Sequence, residues 1–441
     1  MTAAPGPTER LAALLRRSLP PAPDRLRRGP WRAGTFTSPL RSTRLTAQLG
    51  IALDVAFLTC FLTGLISHFI QHPAWWTYWP SRPVSLYRVT QGIHVATGLA
   101  IIPMLGAKLW SVYPRLFTWP PVRDPAHAIE RASIAVLVSA ALFQVVTGLL
   151  DVALWYAPMP FFFTAAHYWT AWLAVGAIVT HIGVKLPLIR AALARRTGLT
   201  SRPEAGGDAP DAGGDTPEAG ADARPAVVDE PIPLVAPNPA TGLTRRGLLT
   251  AAGAAVAAVT LATVGQTVRP LSRVSVLAPR RPDIGPQGLP VNKSAVSAGV
   301  VHLARDPAYR LDVAGPAGSV RLTVADLAAF PQHTVSLPIT CVEGWSAAAR
   351  WTGVRLRDLV AYAGGDADRT RVHARSLQTS GRYRLSTIEP PHLGDPLTLI
   401  ALRLNGATLH IDHGYPCRLI APSRPGVLQT KWLAALTVEE L

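Results

Sequence analysis

Four of the chain's histidines, His68, His94, His167 and His181, lie inside or at the ends of long apolar runs. A histidine there is costly unless it faces other protein and has a partner, so a redox role competes with a plain hydrogen bond between helices. His167 and His181 are 14 residues apart. At 100° per residue they return to within about 40° of one face, about 21 Å apart along the axis. That spacing suits haem ligation near both surfaces of a membrane from a single helix. His94 stands near the start of the second apolar run, which crosses in the same direction as the fourth. It therefore falls at the depth of His167, and the two can hold one haem iron between facing helices. His68 ends the first run at that level and is the reserve ligand. The residue 14 beyond His94 is Lys108. His181 thus lacks an obvious partner, with Lys108, His127 or a quinone site shared with Asp54 as the alternatives.

The cysteines are Cys60, Cys341 and Cys417, with no CxxC pair among them, which argues against a disulfide scaffold and a structural zinc site. Cys341 closes the apolar stretch TVSLPITCV and is followed by EGWS. From spacing alone it reads as core packing, and a disulfide to Cys417 is the second plain reading.

These groups must be carried by several elements, since 441 residues are enough for two or three domains. Four stretches, near 47–70, 89–112, 132–155 and 165–187, have the ~20 apolar residues that crossing a bilayer takes. A fifth, 247–265, is richer in Ala, Gly and Thr. No solenoid-type period is present. The net charge of +16 could indicate nucleic acid, but the Lys and Arg residues flank apolar segments, so no nucleic-acid partner is expected. They gather before the first span, between the second and third, and after the fourth. The other two loops are poor in charge and rich in aromatics, as in WWTYWP and WYAPMPFFF. The N-terminus is therefore expected inside, and the chain beyond the fifth span outside.

The expected organisation is a basic cytoplasmic segment over 1–45, a four-helix membrane bundle over 46–190 and a disordered linker over 191–244. A transmembrane anchor over 245–268 and an extracytoplasmic α+β domain over 269–441 complete it. The linker is Gly-, Pro-, Ala- and acid-rich and cannot bury a core. The pair Arg245–Arg246 before the anchor reads either as a positive flank or as an internal twin-arginine export signal, and the weak hydrophobicity of the anchor favours the second. Within 283–441, β-rich runs at 309–315, 334–342, 371–377, 398–406 and 408–422 alternate with turns, and one helix is expected over 355–364.

Two resemblances sharpen this reading. Residues 45–190, with His94 and the His167/His181 spacing, resemble the cytochrome b subunits of formate dehydrogenases and nickel–iron hydrogenases. Those are four-helix bundles that bind haem b and exchange electrons with quinone. The histidine that family has near the inner start of its first span is absent here, so one haem b is expected, with a second as the alternative. The string TCVEGWSAAARWTGVRLRDLV resembles the metal-binding segment of the sulfite-oxidase superfamily, in particular its periplasmic methionine-sulfoxide-reductase branch. The resemblance covers nearly all of 283–441. It implies a molybdenum–molybdopterin cofactor with the Cys341 thiolate on the metal, a soft ligand beside a dithiolene. LPVNK is similar to the segment that touches the pterin, which implicates Asn292 and Lys293. LNGATLHIDHGYPCRLIAP and RPGVLQTKWL are similar to later cofactor-binding segments, which place His413, Arg418 and Lys431 on a phosphate.

Together they imply a quinone-linked oxidoreductase in the cytoplasmic membrane. Its expected substrate is an S-oxide or N-oxide, free or protein-bound. The alternatives are a sulfite-type oxidase passing electrons inward and a haem-only electron-transfer or assembly subunit.

Overall fold

Runs of Leu, Ile, Val and Ala broken by few charges have no polar face to turn to water, and helices apolar all round belong in a core or a membrane. In a computed structural model these runs form five long helices: α1 (Thr43–Gln71), α2 (Leu86–Val112), α3 (Pro125–Val152), α4 (Phe163–Ala194) and α5 (Arg245–Val264). The structure describes residues 29–31, 35–36, 38, 40–73, 76, 78–118, 121–122, 124–159, 161–194, 244–265, 267–278, 280 and 284–441. Most of the basic N-terminal segment and nearly all of the expected linker lie outside these residues. All five helices contain segments long and apolar enough to cross a membrane. Large apolar side chains such as Val55, Leu58, Leu62, Val146, Leu173 and Val179 are exposed on them, as lipid-facing positions would be.

The C-terminal region is an α+β domain of two five-stranded sheets. Its strands are β1 (Leu311–Gly315), β2 (Gly318–Leu322), β3 (His333–Thr340), β4 (Ser346–Arg355), β5 (Thr370–Ser376) and β6 (Leu385–Ile388). After them come β7 (Leu399–Leu404), β8 (Ala407–Thr408), β9 (Arg418–Ile420) and β10 (Leu433–Glu440). One sheet has the order β2-β1-β10-β5-β6; the other runs β3-β4-β7-β8, with β9 also paired to β7. The last strand closes the first sheet by lying parallel to β1, with Asp312 opposite Ala435. The β-rich run over 408–422 forms the end of β8, a 3-10 turn over Ile411–His413 and β9. Gly414 there takes a φ of 111°, which a continuous strand cannot accommodate.

Two apolar clusters fill the domain, the first drawing on strands of both sheets. Leu311, Leu356, Leu359, Val372, Ile388 and Leu433 fill one, together with Cys417. Leu337, Trp345, Trp351, Leu399, Leu404 and Ile420 fill the other, together with Cys341. Burying such a side chain stabilises by about 1.5–3 kcal/mol. The expected helix over 355–364 forms as α6 (Leu356–Tyr362). All three cysteines are free, so the disulfide reading of Cys341 and Cys417 does not hold.

The chain divides into two compact units. One comprises Met1–Ile51, Gly106–Val136 and Ala177–Ala251; the other comprises Ala52–Leu105, Leu137–Gly176 and Ala252–Leu441. The His94/His167 pair and the whole sheet domain belong to the second.

Candidate active site

Cys341 occupies the turn of the β3–β4 hairpin, where Thr340 pairs with Ser346. The turn is closed by Cys341 N–H donating to Trp345 O at 2.9 Å and Gly344 N–H donating to Cys341 O at 3.1 Å. Gly344 has a φ of 95°, a conformation that a side chain would strain. The strand end thus carries Cys341 into a buried position, 7% exposed. Around the thiol, Asn292 Nδ2 donates to Cys341 Sγ at 2.8 Å, and Cys341 Sγ donates to Glu343 Oε2 at 2.8 Å. Asn292 also donates to the Glu343 carboxylate, and Trp345 Nε1 holds Asn292 Oδ1 at 3.1 Å. Burial, then the neighbouring Glu343 carboxylate, pushes the Cys341 thiol well above the usual range. A bound metal ion reverses that balance, because a coordinated thiol is deprotonated outright.

Beside this turn lies a buried cationic group. Arg418 is 3% exposed, and burial draws its guanidinium down to about 9. Its NH1 donates to His413 O at 3.2 Å, while its Nε has no hydrogen-bond partner among the described residues. Among those residues it also makes no ion pair with a carboxylate. His413 is held neutral: burial moves it down to about 4, and Nε2 donates to Pro286 O at 2.7 Å. Lys431 Nζ donates to Lys293 O at 2.6 Å and to Asp412 O at 2.8 Å. The Lys293 side chain reaches Gln378. The Cys341 thiol lies close enough to influence both Arg418 and Lys431. An unpaired buried guanidinium is expensive, and an anion with a phosphate arm is the ligand that would satisfy it.

Burial, and then Arg418 beside it, lowers Lys431 to about 7. A bound anion favours the charged lysine, so binding above that value must take up a proton. Pterin affinity of the apo-protein is therefore expected to be level below about pH 7. It should fall between pH 7 and 9 by up to about tenfold per unit. Titration of apo-protein with the pterin cofactor across pH 6–9 checks this, and Lys431→Met should flatten the slope. An affinity that is level or rises above pH 7 in the wild type contradicts it.

The histidine pair is built from four helices. The rings of His94 in α2 and His167 in α4 stand with centroids 6.4 Å apart. Two imidazoles each about 2.0 Å from one shared metal ion have centroids about 6 Å apart, so the gap fits a single iron. His94 Nδ1 is hydrogen-bonded to Cys60 O in α1 at 2.8 Å. His167 Nδ1 is bonded to Thr147 Oγ1 in α3 at 2.8 Å, and the Thr147 hydroxyl donates in turn to Phe143 O. Both Nδ1 atoms are thereby engaged, which leaves Nε2 for a metal, the arrangement that fixes tautomer and ring direction in metal-binding histidines. Gly64 makes room: a Cβ there would stand 2.9 Å from His94 Cε1.

The structure does not bring His68 into the pair; it stacks on Tyr168 at 3.8 Å with ring planes 9° apart. His181 lies in the first unit, where Lys108, Lys185 and Glu130 act on it electrostatically. There Lys108 Nζ donates to Thr46 O at 2.6 Å, and Lys185 pairs with Glu130. Sequence reasoning missed Glu343 as a contact of the thiol, although its place two residues after Cys341 was a signal. It also missed Tyr156, whose hydroxyl donates to Glu343 Oε1 at 2.9 Å.

Among the described residues, no cluster of three or more His, Cys, Asp or Glu side chains could hold a bare metal ion. One thiol beside a cationic pocket and two nearby histidines are instead partial ligand sets. Each fits a metal that arrives with its own organic ligand.

Residues 298–440 match the oxidoreductase molybdopterin binding domain family. Mitochondrial sulfite oxidase of Rattus norvegicus is 32% identical over 158 residues, covering 30% of this chain and 29% of that protein. A protein of Azospira oryzae named as a protein-methionine-sulfoxide reductase subunit, YedZ1, is 31% identical over 131 residues, covering 30% of this chain and 48% of its own length. Among solved structures, the sulfane dehydrogenase SoxCD of Paracoccus pantotrophus matches at 22% identity and a TM-score of 0.29, over 36% of this chain and 44% of that one. The chain spans under a third of the length of the mammalian sulfite oxidases it matches. Its C-terminal region is a molybdopterin-binding oxidoreductase domain of sulfite-oxidase type.

Proposed function

We propose that this chain is a membrane-bound oxidoreductase that draws electrons from quinol through haem b to a molybdenum–molybdopterin centre, where an S-oxide or N-oxide is reduced. The observation that carries the proposal is the presence, in one compact unit, of two partial ligand sets: the His94/His167 pair and the Cys341 turn with its cationic pocket. When bound, molybdenum supplies two-electron oxygen-atom transfer and haem supplies single-electron steps. The chain's own residues do the rest. Cys341 binds the metal, and Asn292 and Glu343 orient the thiol. Arg418, Lys431 and the neutral His413 hold the pterin's anionic arm, and the burial of Cys341 and Glu343 keeps water from the thiolate.

Basic residues flanking the spans before α1, between α2 and α3 and after α4 support a cytoplasmic N-terminus. The relative named for methionine-sulfoxide reduction supports the reductive direction. The sulfite oxidases support a second reading, oxidation with electrons passed inward.

Stopped-flow mixing of the reduced, purified full-length protein with sulfoxides, N-oxides and oxyanions separates the two. Reoxidation of the haem band by a sulfoxide or N-oxide is expected. Reduction of the oxidised haem by sulfite would establish the second reading instead, and no response to any of the panel would remove both.

A further inference from the structure

Three segments of the helical region converge on the turn that carries the thiol, and each takes a different residue of it. Gln91 in α2 donates its side-chain amide to Val342 O. Tyr156, just beyond α3, donates to Glu343 Oε1 at 2.9 Å. Thr267, just beyond α5, donates its hydroxyl to Gly344 O. All of these residues lie in the second unit. Gln91 is 4% exposed, Thr267 8% and Glu343 8%; the Thr267–Gly344 bond is buried, and the other two are part-buried. Among the described residues, no backbone N–H of the sheet domain donates to Val342 O or Gly344 O. The helical region therefore supplies donors to the buried Gly344 carbonyl and the part-buried Val342 carbonyl.

Thr267 is itself held in place. Its carbonyl accepts from Arg88 NH2 at 2.7 Å, and a Cβ on Gly92 would stand 3.1 Å from its methyl. The absence of a side chain at Gly92 thus lets Thr267 pass between α2 and the turn. Gln91 lies three residues, less than one helical turn, before His94.

We propose that the helical region is a structural part of the molybdenum site: Gln91, Tyr156 and Thr267 clamp the Cys341–Gly344 turn and set the direction of Cys341 Sγ. These are positioning residues that act through the turn, and Gln91 couples it to the helix segment bearing His94. The inference rests on the reading of Cys341 as the metal ligand. It differs from plain docking of the sheet domain, for which the chain has a separate contact. Arg82 forms a two-pronged ion pair with Asp395, Nε to Oδ2 at 2.9 Å and NH2 to Oδ1 at 3.1 Å, without touching the turn.

The test compares Gln91→Leu, Thr267→Val, Thr267→Ser and Asp395→Asn in the full-length protein. Two measurements are made: amide hydrogen exchange over residues 342–346 and the Mo(V) paramagnetic resonance signal. Exchange in the turn is expected to rise roughly fivefold in Gln91→Leu and Thr267→Val, the effect of losing one neutral hydrogen bond. The resonance g-values should move in the same two variants. Thr267→Ser should restore both readings, and Asp395→Asn should leave both as in the wild type. Exchange within twofold of wild type in Gln91→Leu and Thr267→Val overturns the clamp. So does an equal rise in Asp395→Asn, which would reduce the contacts to docking. Should Gln91→Leu not fold, the Thr267 pair decides alone. A wild type without molybdenum would refute the metal assignment of Cys341, while exchange would still decide the clamp.

Discussion

Replacing Cys341 with serine is expected to bring turnover down to the level of metal-free protein while the haem spectrum and membrane insertion persist. A thiolate donates far more electron density to molybdenum than a hydroxyl does, and a shorter metal–oxygen bond would pull on a turn that is already fixed at both ends. The loss should be at least on the order of the 10²–10³-fold that removal of a single group stabilising the transition state costs elsewhere. The pterin should remain bound, because Arg418, Lys431 and His413 lie on other segments of the chain. Cys417→Ser is the control. Cys417 is fully buried in the other core, where its thiol contacts Tyr309 OH at 3.2 Å and burial raises it to about 12. Serine there keeps a polar contact and should cost about 1–2 kcal/mol of stability with little effect on rate. Activity assays, pterin content and thermal unfolding of both variants check this. Equal loss of turnover in the two would remove Cys341 from the metal.

The parts of this architecture legible in the sequence are those written in local pattern. Runs of ~20 apolar residues become helices whatever they touch, and α1 to α5 each contain most of the stretch expected from composition. The depth match of His94 and His167 follows from helix geometry, and their ring centroids stand 6.4 Å apart. Other parts depend on contacts between distant segments. The pairing of β10 with β1 joins Asp312 to Ala435, and nothing local in LAALTVEE marks it as an inner strand. In SAAARWTGVR, which becomes β4, all but Trp351 and Val354 are small or polar, and the strand takes its conformation from β3 and β7 on either side. The β-rich run over 408–422 is interrupted by Gly414 and the His410–Asp412 turn, which composition alone does not place. Gln91 and Tyr156 were invisible as site residues for the same reason. Their partners lie 251 and 187 positions away, and an isolated Gln or Tyr near an apolar run carries no signal of its own.

His94→Ala and His167→Ala should each abolish the b-type haem absorbance of purified membranes, the second large effect expected here. With Nδ1 of each ring already hydrogen-bonded, each histidine would hold an iron through Nε2, and alanine would leave that iron with one protein ligand. His181→Ala should keep that band, since His181 belongs to the other unit and does not contribute to this gap. His68→Ala should keep it too, because its ring is engaged in stacking on Tyr168. Thr147→Val offers an intermediate case. It removes the oxygen that holds His167 Nδ1 at 2.8 Å but keeps the side-chain volume. Haem should still bind, about 10–100-fold more weakly, as is usual when the partner of a metal-bound histidine is lost. Pyridine haemochrome content against total protein measures all five variants. A full band in both His94→Ala and His167→Ala would show that the pair is a hydrogen-bonded contact between helices and not a haem site. Loss in His181→Ala alone would move the haem to the first unit, beside Lys108 and the Glu130–Lys185 pair.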